Sequence, residues 1–563
     1  MDFKLEIAAA VADACGIDKM DIYSKIETPP DKKMGDYAFP CFFLAKTLHK
    51  APPLIAAEIE KKIVKPEFVS EIKTAGAYLN FFADKSFFAR HVITDVLTKG
   101  KDYGCKAENG KTIVIDYSSP NIAKPFHVGH LRSTVIGNAL YKIYSFCGWK
   151  CVGVNHLGDW GTQFGKLISA YKRWGSKEAV EKDGISELMR IYVKFHEEAE
   201  KDDSLNDEAR AWFKKMQDGD SEALELWKWF KDMSMKEFDR IYAVLGVKFD
   251  SFAGESFYND KMDAVVDELK EKKLLVESNG AEIVDLEDAG MPPCLIIRSD
   301  GGTLYATRDI AAAFYRKNTY NFDKCLYVTA IDQNLHFAQW FKVIEKMGYQ
   351  WSENLVHVPF GLVSLPDGKL STRHGKVVLM EELLKEAVNK TREIIEEKNP
   401  QLPDKENVAR QVGIGAVIFD DLYNGRIKDV VFSWDKMLNF DGETGPYVQY
   451  TNARACSVLR KAGAVDFSNV DYSCLADEAT SEICRLLDVY GDRISDAAEK
   501  YEPSVISRYL VDLSQAFNKF YHDNPILNAE YSVKTARLAV VKAVNTVLVS
   551  GLSLLGIAAP EQM

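Results

Sequence analysis

Apolar residues recur every three or four positions in LEIAAAVADACG and PPLIAAEIEKKIV, predicting two helices within the first hundred residues, and EIKTAGAYLNFFAD reads as a strand. These elements form a small α+β module ending in the polar stretch KGKDYGCKAENGK, with a boundary near residue 108. From Lys111 the pattern changes. TIVIDYS is a continuous apolar strand, followed by a proline-containing loop, the long helical pattern HLRSTVIGNALYKIYSFCG, and a second strand in KCVGVNHLG. Strand, helix, strand is the opening of a doubly wound nucleotide-binding sheet. Residues from about 166 to 290 are helix-rich and charged, most clearly in ELMRIYVKFHEEAEKDDSLNDEARAWFKKM, and read as a helical insertion in a domain spanning 109–405. The sheet is expected to resume at CLIIRS, TLYATRDIAAAFYR, KCLYVTAIDQ and LVHVPFGLVSL. Residues 406–563 are amphipathic and almost wholly helical, and no internal repeat or low-complexity segment interrupts the chain.

A length of 563 residues calls for two to four domains, and 47% hydrophobic with 27% charged residues describes a soluble globular chain. The start, MDFKLEIAAAVADACGIDKM, lacks the basic flank and apolar block of a signal peptide. No uncharged apolar run reaches the roughly twenty residues of a spanning helix, VLVSGLSLLGIAAP reads as a buried helix, and no membrane partner is expected. The ten cysteines are scattered and read as reduced, mostly buried thiols of a cytoplasmic protein; the nearest pair, Cys147 and Cys151, lacks zinc-site spacing, and no metal ligand set is predicted. A net charge of −12 gives no whole-protein attraction to nucleic acid. Binding of RNA would have to rest on local patches.

The candidate chemistry begins in the loop after the first strand, Ser118-Ser119-Pro120-Asn121-Ile122-Ala123-Lys124-Pro125-Phe126-His127-Val128-Gly129-His130. In a doubly wound sheet this loop lies at the carboxyl end of the strand, where backbone N–H groups and the helix dipole favour phosphate. His127 and His130 can share one face, Gly129 leaves room for a flat base, and two imidazoles can donate to charge growing on a phosphate. The segment resembles the HIGH signature of class I aminoacyl-tRNA synthetases. Further on, Leu365-Pro366-Asp367-Gly368-Lys369-Leu370-Ser371-Thr372-Arg373 resembles the KMSKS loop of that class, with Lys369 in the first lysine's place and Thr372 where the second normally stands. Lys124 is the candidate substitute for the missing cation. No Gly-x-Gly-x-x-Gly follows the first strand, which argues against a dinucleotide-dependent dehydrogenase.

Thr303-Leu304-Tyr305-Ala306-Thr307-Arg308-Asp309 places Tyr305 and Asp309 four apart, on one face if a helix begins there. A carboxylate with a planar partner suits a guanidinium. The run resembles the LYxTRD motif of arginyl-tRNA synthetases, and the resemblance extends to His156-Leu157-Gly158-Asp159-Trp160-Gly161-Thr162-Gln163-Phe164-Gly165, close to the GDWGxQFG run. His156 faces either the substrate or the core. At the chain's ends, Gly35-Asp36-Tyr37-Ala38 and Gly76-Ala77-Tyr78-Leu79-Asn80 resemble the family's additional N-terminal domain, Gly445-Pro446-Tyr447-Val448-Gln449-Tyr450-Thr451-Asn452-Ala453-Arg454 its GPYxQYxxAR run, and Thr535-Ala536-Arg537-Leu538 its DALR segment with Thr535 replacing the aspartate.

The resemblance implies an α/β Rossmann-like catalytic domain with a helical insertion, an N-terminal α+β domain over 1–108 that reads the tRNA elbow, and an all-α anticodon-binding domain over 406–563. It implies a monomeric arginine–tRNA ligase that uses ATP with Mg²⁺, forms arginyl-adenylate, and transfers arginine to the terminal adenosine of tRNA-Arg, releasing AMP and pyrophosphate. His127, His130, Lys124 and Lys369 would be catalytic, and His127, Gly129, His130, Lys369, Ser371 and Thr372 would meet ATP. Asp116, Ser119, Asn121, Tyr305, Asp309 and Gln333 would hold arginine. Tyr78, Asn80, Tyr447, Arg454, Arg508 and Arg537 would meet tRNA, with Lys519 and Lys534 as further cations and Tyr509, Phe520 and Tyr521 as stacking or core aromatics. Because substrates supply the nucleophiles, no Ser/His/Asp triad is needed.

Overall fold

The computed structural model describes residues 2–563 except Pro30, Asp300, Gly301, Thr303, Leu304, Pro366, Asp367 and 370–378. Two compact units emerge, one made of Met1–Tyr103, Arg454–Tyr490 and Asp512–Val547, the other of Gly104–Ala453, Gly491–Val511 and Leu548–Met563.

The second unit holds a four-stranded parallel sheet in the order Leu355–Phe360, Lys324–Ala330, Thr112–Asp116, Lys150–Val154. The interior strand Thr112–Asp116 buries Ile113, Val114 and Ile115 completely, as a strand covered on both faces does, and ends on the buried Asp116. The chain passes from it to Lys150–Val154 on one side and later enters Lys324–Ala330 on its other side, so a crevice opens at this switch beyond its carboxyl end. The helix Leu131–Phe146 returns from that crevice to the Lys150–Val154 strand. Its buried Arg132 bonds Asp421 at 2.8 Å and donates to the carbonyls of Gly361 and Lys428, tying the helix to Lys405–Tyr423 and to the segment after the edge strand. Burial pushes the Asp421 carboxyl up to about 6 against the pull of Arg132. Removing one partner of such a pair strands the other charge, so Arg132→Met should destabilise this unit by about 3–5 kcal/mol. Thermal unfolding followed by circular dichroism checks this.

CLII departs from the sequence expectation. Cys294–Ile297 joins a separate antiparallel sheet with Leu275–Ser278 and Ala281–Val284, where it pairs only with the latter strand. A short apolar run does not reveal which sheet will accept it. The ATRDIAAAFYR stretch lies in a helix, Tyr305–Tyr320, rather than a strand, its alanines packing on the core beside the Lys324–Ala330 strand. The expected helical insertion contains Thr162–Trp174, Ile185–Ala199, Ser204–Gln217 and the long Ser221–Leu245.

In the first unit, EIKTAGAYLNFFAD is two strands rather than one: Val69–Ala75 and Tyr78–Ala83 form a hairpin around Gly76, whose φ of 61° suits glycine, and Tyr37–Pro40 completes the sheet. The Gly35-Asp36-Tyr37 run has a local use. A Cβ on Gly35 would sit 2.7 Å from the Phe81 carbonyl oxygen, while Asp36 accepts from Ala83 N–H at 2.9 Å and from Arg485 at 2.8 Å. The Tyr37 hydroxyl donates to Asp488 at 2.9 Å, so this run fastens the sheet to the helix Glu478–Asp488. Tyr531–Leu554, the one helix among the described residues long and apolar enough to cross a membrane, has 72% of its apolar window buried inside the protein.

Candidate functional site

A cavity of about 480 Å³ occupies the crevice, lined by Asp116, Ser119, Asn121, Gly129, His130, His156, Glu255, Tyr305, Asp309, Arg316, Gln333 and His336. Side chains from distant parts of the sequence therefore converge at the end of one strand, where fold geometry favours a nucleotide site.

At the histidine end, His127 caps a 3₁₀ turn, Val128–His130, that leads directly into the Leu131 helix. His127 Nδ1 accepts the Gly129 backbone N–H at 3.0 Å, and His130 Nδ1 accepts that of His127 at 3.1 Å. Each neutral ring therefore carries its proton on Nε2, leaving one N–H donor on each. The ring centroids are 3.9 Å apart. Burial lowers His130 to about 3, and burial followed by the charge of Lys124 lowers His127, so both act as neutral donors near pH 7. The bare face of Gly129, expected to admit a base, is covered by the His127 ring: a Cβ there would lie 2.7 Å from its Cε1. Lys124 is half-buried, and its charge also depresses His130. The preceding loop is strained, with Ser118, Ser119 and Ala123 at φ of 70°, 46° and 60°.

Lys369 lies in a short strand, Gly368–Lys369, that pairs antiparallel with Val363–Leu365 at Ser364. Ser371 and Thr372 lie outside the described residues.

At the opposite end, Tyr305 and Asp309 share one face of the Tyr305–Tyr320 helix, Tyr305 being 64% exposed at its start. His336 Nε2 meets Asp309 Oδ2 at 2.5 Å. Gln333 ends the turn Ile331–Gln333 after the neighbouring strand. Asp116 is already engaged, accepting from buried Arg316 at 2.7 Å and from the Ser119 hydroxyl at 2.9 Å; the Ser119 backbone N–H donates to Asn155. His156 has a place in both readings of it: it lines the cavity, yet its ring stacks on Tyr258 with centroids 5.5 Å apart, and burial lowers its pKa. Asn121 packs on Gly158, where a Cβ would meet its Oδ1.

Three of these cavity residues escaped sequence reasoning: Arg316, Glu255 and His336. Glu255 follows a run of helices with no surrounding pattern beyond Gly254, and His336 sits three residues after Gln333. Glu255 lies 3.6 Å from Arg308, and burial, opposed by Arg308 and aided by Asp309 and Asp159, pushes it up to about 7.

The comparisons decide the family. Residues 92–434 match the family model for tRNA synthetases class I (R), catalytic domain, residues 448–563 that for the DALR anticodon binding domain, and residues 1–83 that for the arginyl tRNA synthetase N terminal domain. An arginine–tRNA ligase of Alkaliphilus metalliredigens is 56% identical and one of Clostridioides difficile 54% identical, each covering 100% of both chains. The chain belongs to the arginyl-tRNA synthetases. Among solved structures, the Thermus thermophilus arginyl-tRNA synthetase superposes with a TM-score of 0.84 at 26% identity over 100% of both chains. The arginyl-tRNA synthetase of Plasmodium falciparum superposes with a TM-score of 0.81 at 25% identity, over 99% of this chain and 98% of that one.

As an arginyl-tRNA synthetase the chain is an arginine–tRNA ligase: it uses ATP to activate L-arginine and loads it onto tRNA-Arg. The residues singled out for tRNA are unequally presented. Tyr78 is half-buried against Phe42, and Asn80 lies inside at 3% exposure. Arg454 stacks over Tyr521, itself 41% exposed, and bonds Asn518. Arg508 is exposed over Tyr423, and Arg537 donates to the Pro525 carbonyl. Tyr447 is half-buried, Lys519 is exposed and Lys534 half-buried. Tyr509 and Phe520 are core residues, which removes them as stacking platforms.

Proposed function

We propose that the cavity divides the reaction between its two ends: Tyr305, Asp309 and Glu255 receive the guanidinium, Ser119, Asn121 and Gln333 the amino-acid end, and the histidine turn the ATP phosphates. The carrying observation is that one cavity is lined both by His130, with Nδ1 accepting a backbone N–H, and by the two carboxylates Asp309 and Glu255. Charge complementarity explains the second end, since a guanidinium brings five donors and a positive charge to two carboxylates and a phenol. Asp116, neutralised by Arg316, is left to orient Ser119. At the first end the neutral imidazoles donate from Nε2 to charge building on the α-phosphate as the arginine carboxylate attacks, while Lys369 and Lys124 supply cations. Ser371 and Thr372 complete the ATP contacts in this reading.

The described residues contain no group of three or more His, Cys, Asp or Glu able to hold a metal. Mg²⁺ is therefore assigned to ATP, bound through phosphate oxygens and water. Tyr78, Tyr447, Arg454, Arg508 and Arg537 are proposed tRNA contacts, Asn80 shaping the surface beneath them. We further assign a monomeric, cytoplasmic enzyme with segments 1–108, 109–405 and 406–563 serving elbow recognition, chemistry and anticodon reading.

Aminoacylation of total tRNA, assayed across all amino acids, should give product with arginine alone; charging of another amino acid at a comparable rate would reject the pocket assignment. Glu255 adds a pH signature. Its carboxyl is raised, so in the free enzyme it is ionised only above about pH 7, and only the ionised form attracts the guanidinium. kcat/KM for arginine should thus fall as pH drops through 7, by about tenfold per unit at the limiting slope. Glu255→Gln should lower the plateau and remove that limb from the profile.

A further inference from the structure

The Gly158-Asp159-Trp160-Gly161 run has no part in the division of labour above, yet Asp159 is 0% exposed and accepts four hydrogen bonds from side chains and backbone. Its Oδ2 accepts from Lys231 Nζ at 2.5 Å and from the Ser256 hydroxyl at 2.8 Å, and its Oδ1 accepts the Ser256 backbone N–H at 2.8 Å. Its own carbonyl accepts the Trp227 indole N–H at 2.7 Å. Lys231 and Trp227 belong to the insertion helix Ser221–Leu245, whereas Ser256 is the neighbour of Glu255.

The same turn grips Glu255 directly. The Glu255 backbone N–H donates to the Leu157 carbonyl at 2.9 Å, and the Trp160 backbone N–H bonds the Glu255 carboxylate. Gly254 fits only because it has no side chain, since a Cβ there would lie 2.7 Å from both Asp159 Oδ1 and the Leu157 oxygen. Segment 254–256 is thus clamped on both sides of the residue whose carboxylate enters the cavity.

We propose that Asp159, paired with Lys231, is a positioning residue that sets Glu255 for the guanidinium, so that the helical insertion helps to determine arginine affinity. A buried carboxylate with one cation and two further bonds, both to Ser256, is engaged at each oxygen, and rotating it would release both Ser256 bonds together. Because Glu255 lies between the clamped residues, loss of that hold displaces its carboxylate, whereas the histidine turn keeps its own bonds, His127 Nδ1 to the Gly129 N–H and His130 Nδ1 to the His127 N–H. The inference rests on the assignment of Glu255 to the guanidinium.

Pyrophosphate exchange on the full chain with tRNA present provides the test, comparing Asp159→Asn, Lys231→Met, Glu255→Gln and the Asp159→Asn/Glu255→Gln double variant. Asp159→Asn should raise the arginine KM five- to thirtyfold while the ATP KM and kcat stay within twofold. In the Glu255→Gln background the same change should add less than twofold, because there is no carboxylate left to position. Lys231→Met should reproduce the arginine effect. Ser256→Ala removes one hydroxyl and no charge, and should give the same KM split at smaller size even if the Asp159 variant folds poorly. Equal effects of Asp159→Asn with and without Glu255, or a parallel rise in both KM values, would overturn the positioning role and leave the Glu255 assignment standing. An arginine KM unchanged in Glu255→Gln would instead overturn that assignment.

Discussion

Asp309→Asn should raise the arginine KM by a hundredfold or more while the ATP KM holds. The carboxylate lies on the cavity face of the Tyr305–Tyr320 helix, and its Oδ2 is engaged by His336 at 2.5 Å. Oδ1 is then the oxygen available to a guanidinium N–H. The amide keeps the shape but loses the charge and presents an N–H₂ in one of the two oxygen positions, where it opposes a donor already there. Losing one partner of a desolvated charge pair costs about 2–5 kcal/mol, and about 3 kcal/mol is already more than a hundredfold. Discrimination should fall as well, because a site built around a charge-assisted pair rejects analogues chiefly through the penalty of leaving that pair unmade. Steady-state pyrophosphate exchange with arginine and with ATP varied separately measures both constants. An arginine KM within threefold of the parent value would assign the guanidinium to other groups.

The sequence revealed those parts of the site whose chemistry is local. Tyr305 and Asp309 are one helical turn apart, and His127, Gly129 and His130 are consecutive or nearly so; once the element is known, such spacings fix which side chains share a face. Contacts made by long-range folding left no such trace. Arg316 reaches Asp116 across 200 positions, and Glu255 enters the cavity from a segment whose neighbours spell no periodic element. The separate sheet of Cys294–Ile297 was hidden for a similar reason: an apolar run of four specifies burial but not a partner. Burial divided the proposed RNA-facing residues just as sequence could not, since Phe520 and Tyr521 are adjacent yet lie at 0% and 41% exposure. The Gly35-Asp36-Tyr37 run also has a structural use that no motif states, as the fastening of a sheet to a helix more than 440 residues away in the chain.

Lys124→Ala should slow adenylate formation about 100- to 1000-fold and shift the arginine KM little, the magnitude expected when one preorganised group facing developing phosphate charge is lost. Position 372, where this class of enzyme normally carries its second lysine, holds threonine, so a cation is missing from the loop that would cover the pyrophosphate. Lys124 stands on the strained loop leading into the histidine turn, half-buried, with its charge felt by both imidazoles. A neutral His127 and His130 can donate hydrogen bonds but cannot balance a departing pyrophosphate, which leaves that task to the lysines together with ATP's Mg²⁺. Two readings of Lys124 predict different reversions. If its charge acts on the phosphates, Thr372→Lys in the Lys124→Ala background should recover much of the rate, because it restores the lysine that this class normally carries at that position of the sequence. If Lys124 acts only through its repulsion on the two imidazoles, which burial already keeps neutral, its removal should raise their pKa values by that lesser contribution alone, and Thr372→Lys would restore nothing. Single-turnover adenylate formation with tRNA bound, measured across pH in both variants, separates these outcomes, and a parental rate in Lys124→Ala would reduce Lys124 to a surface lysine.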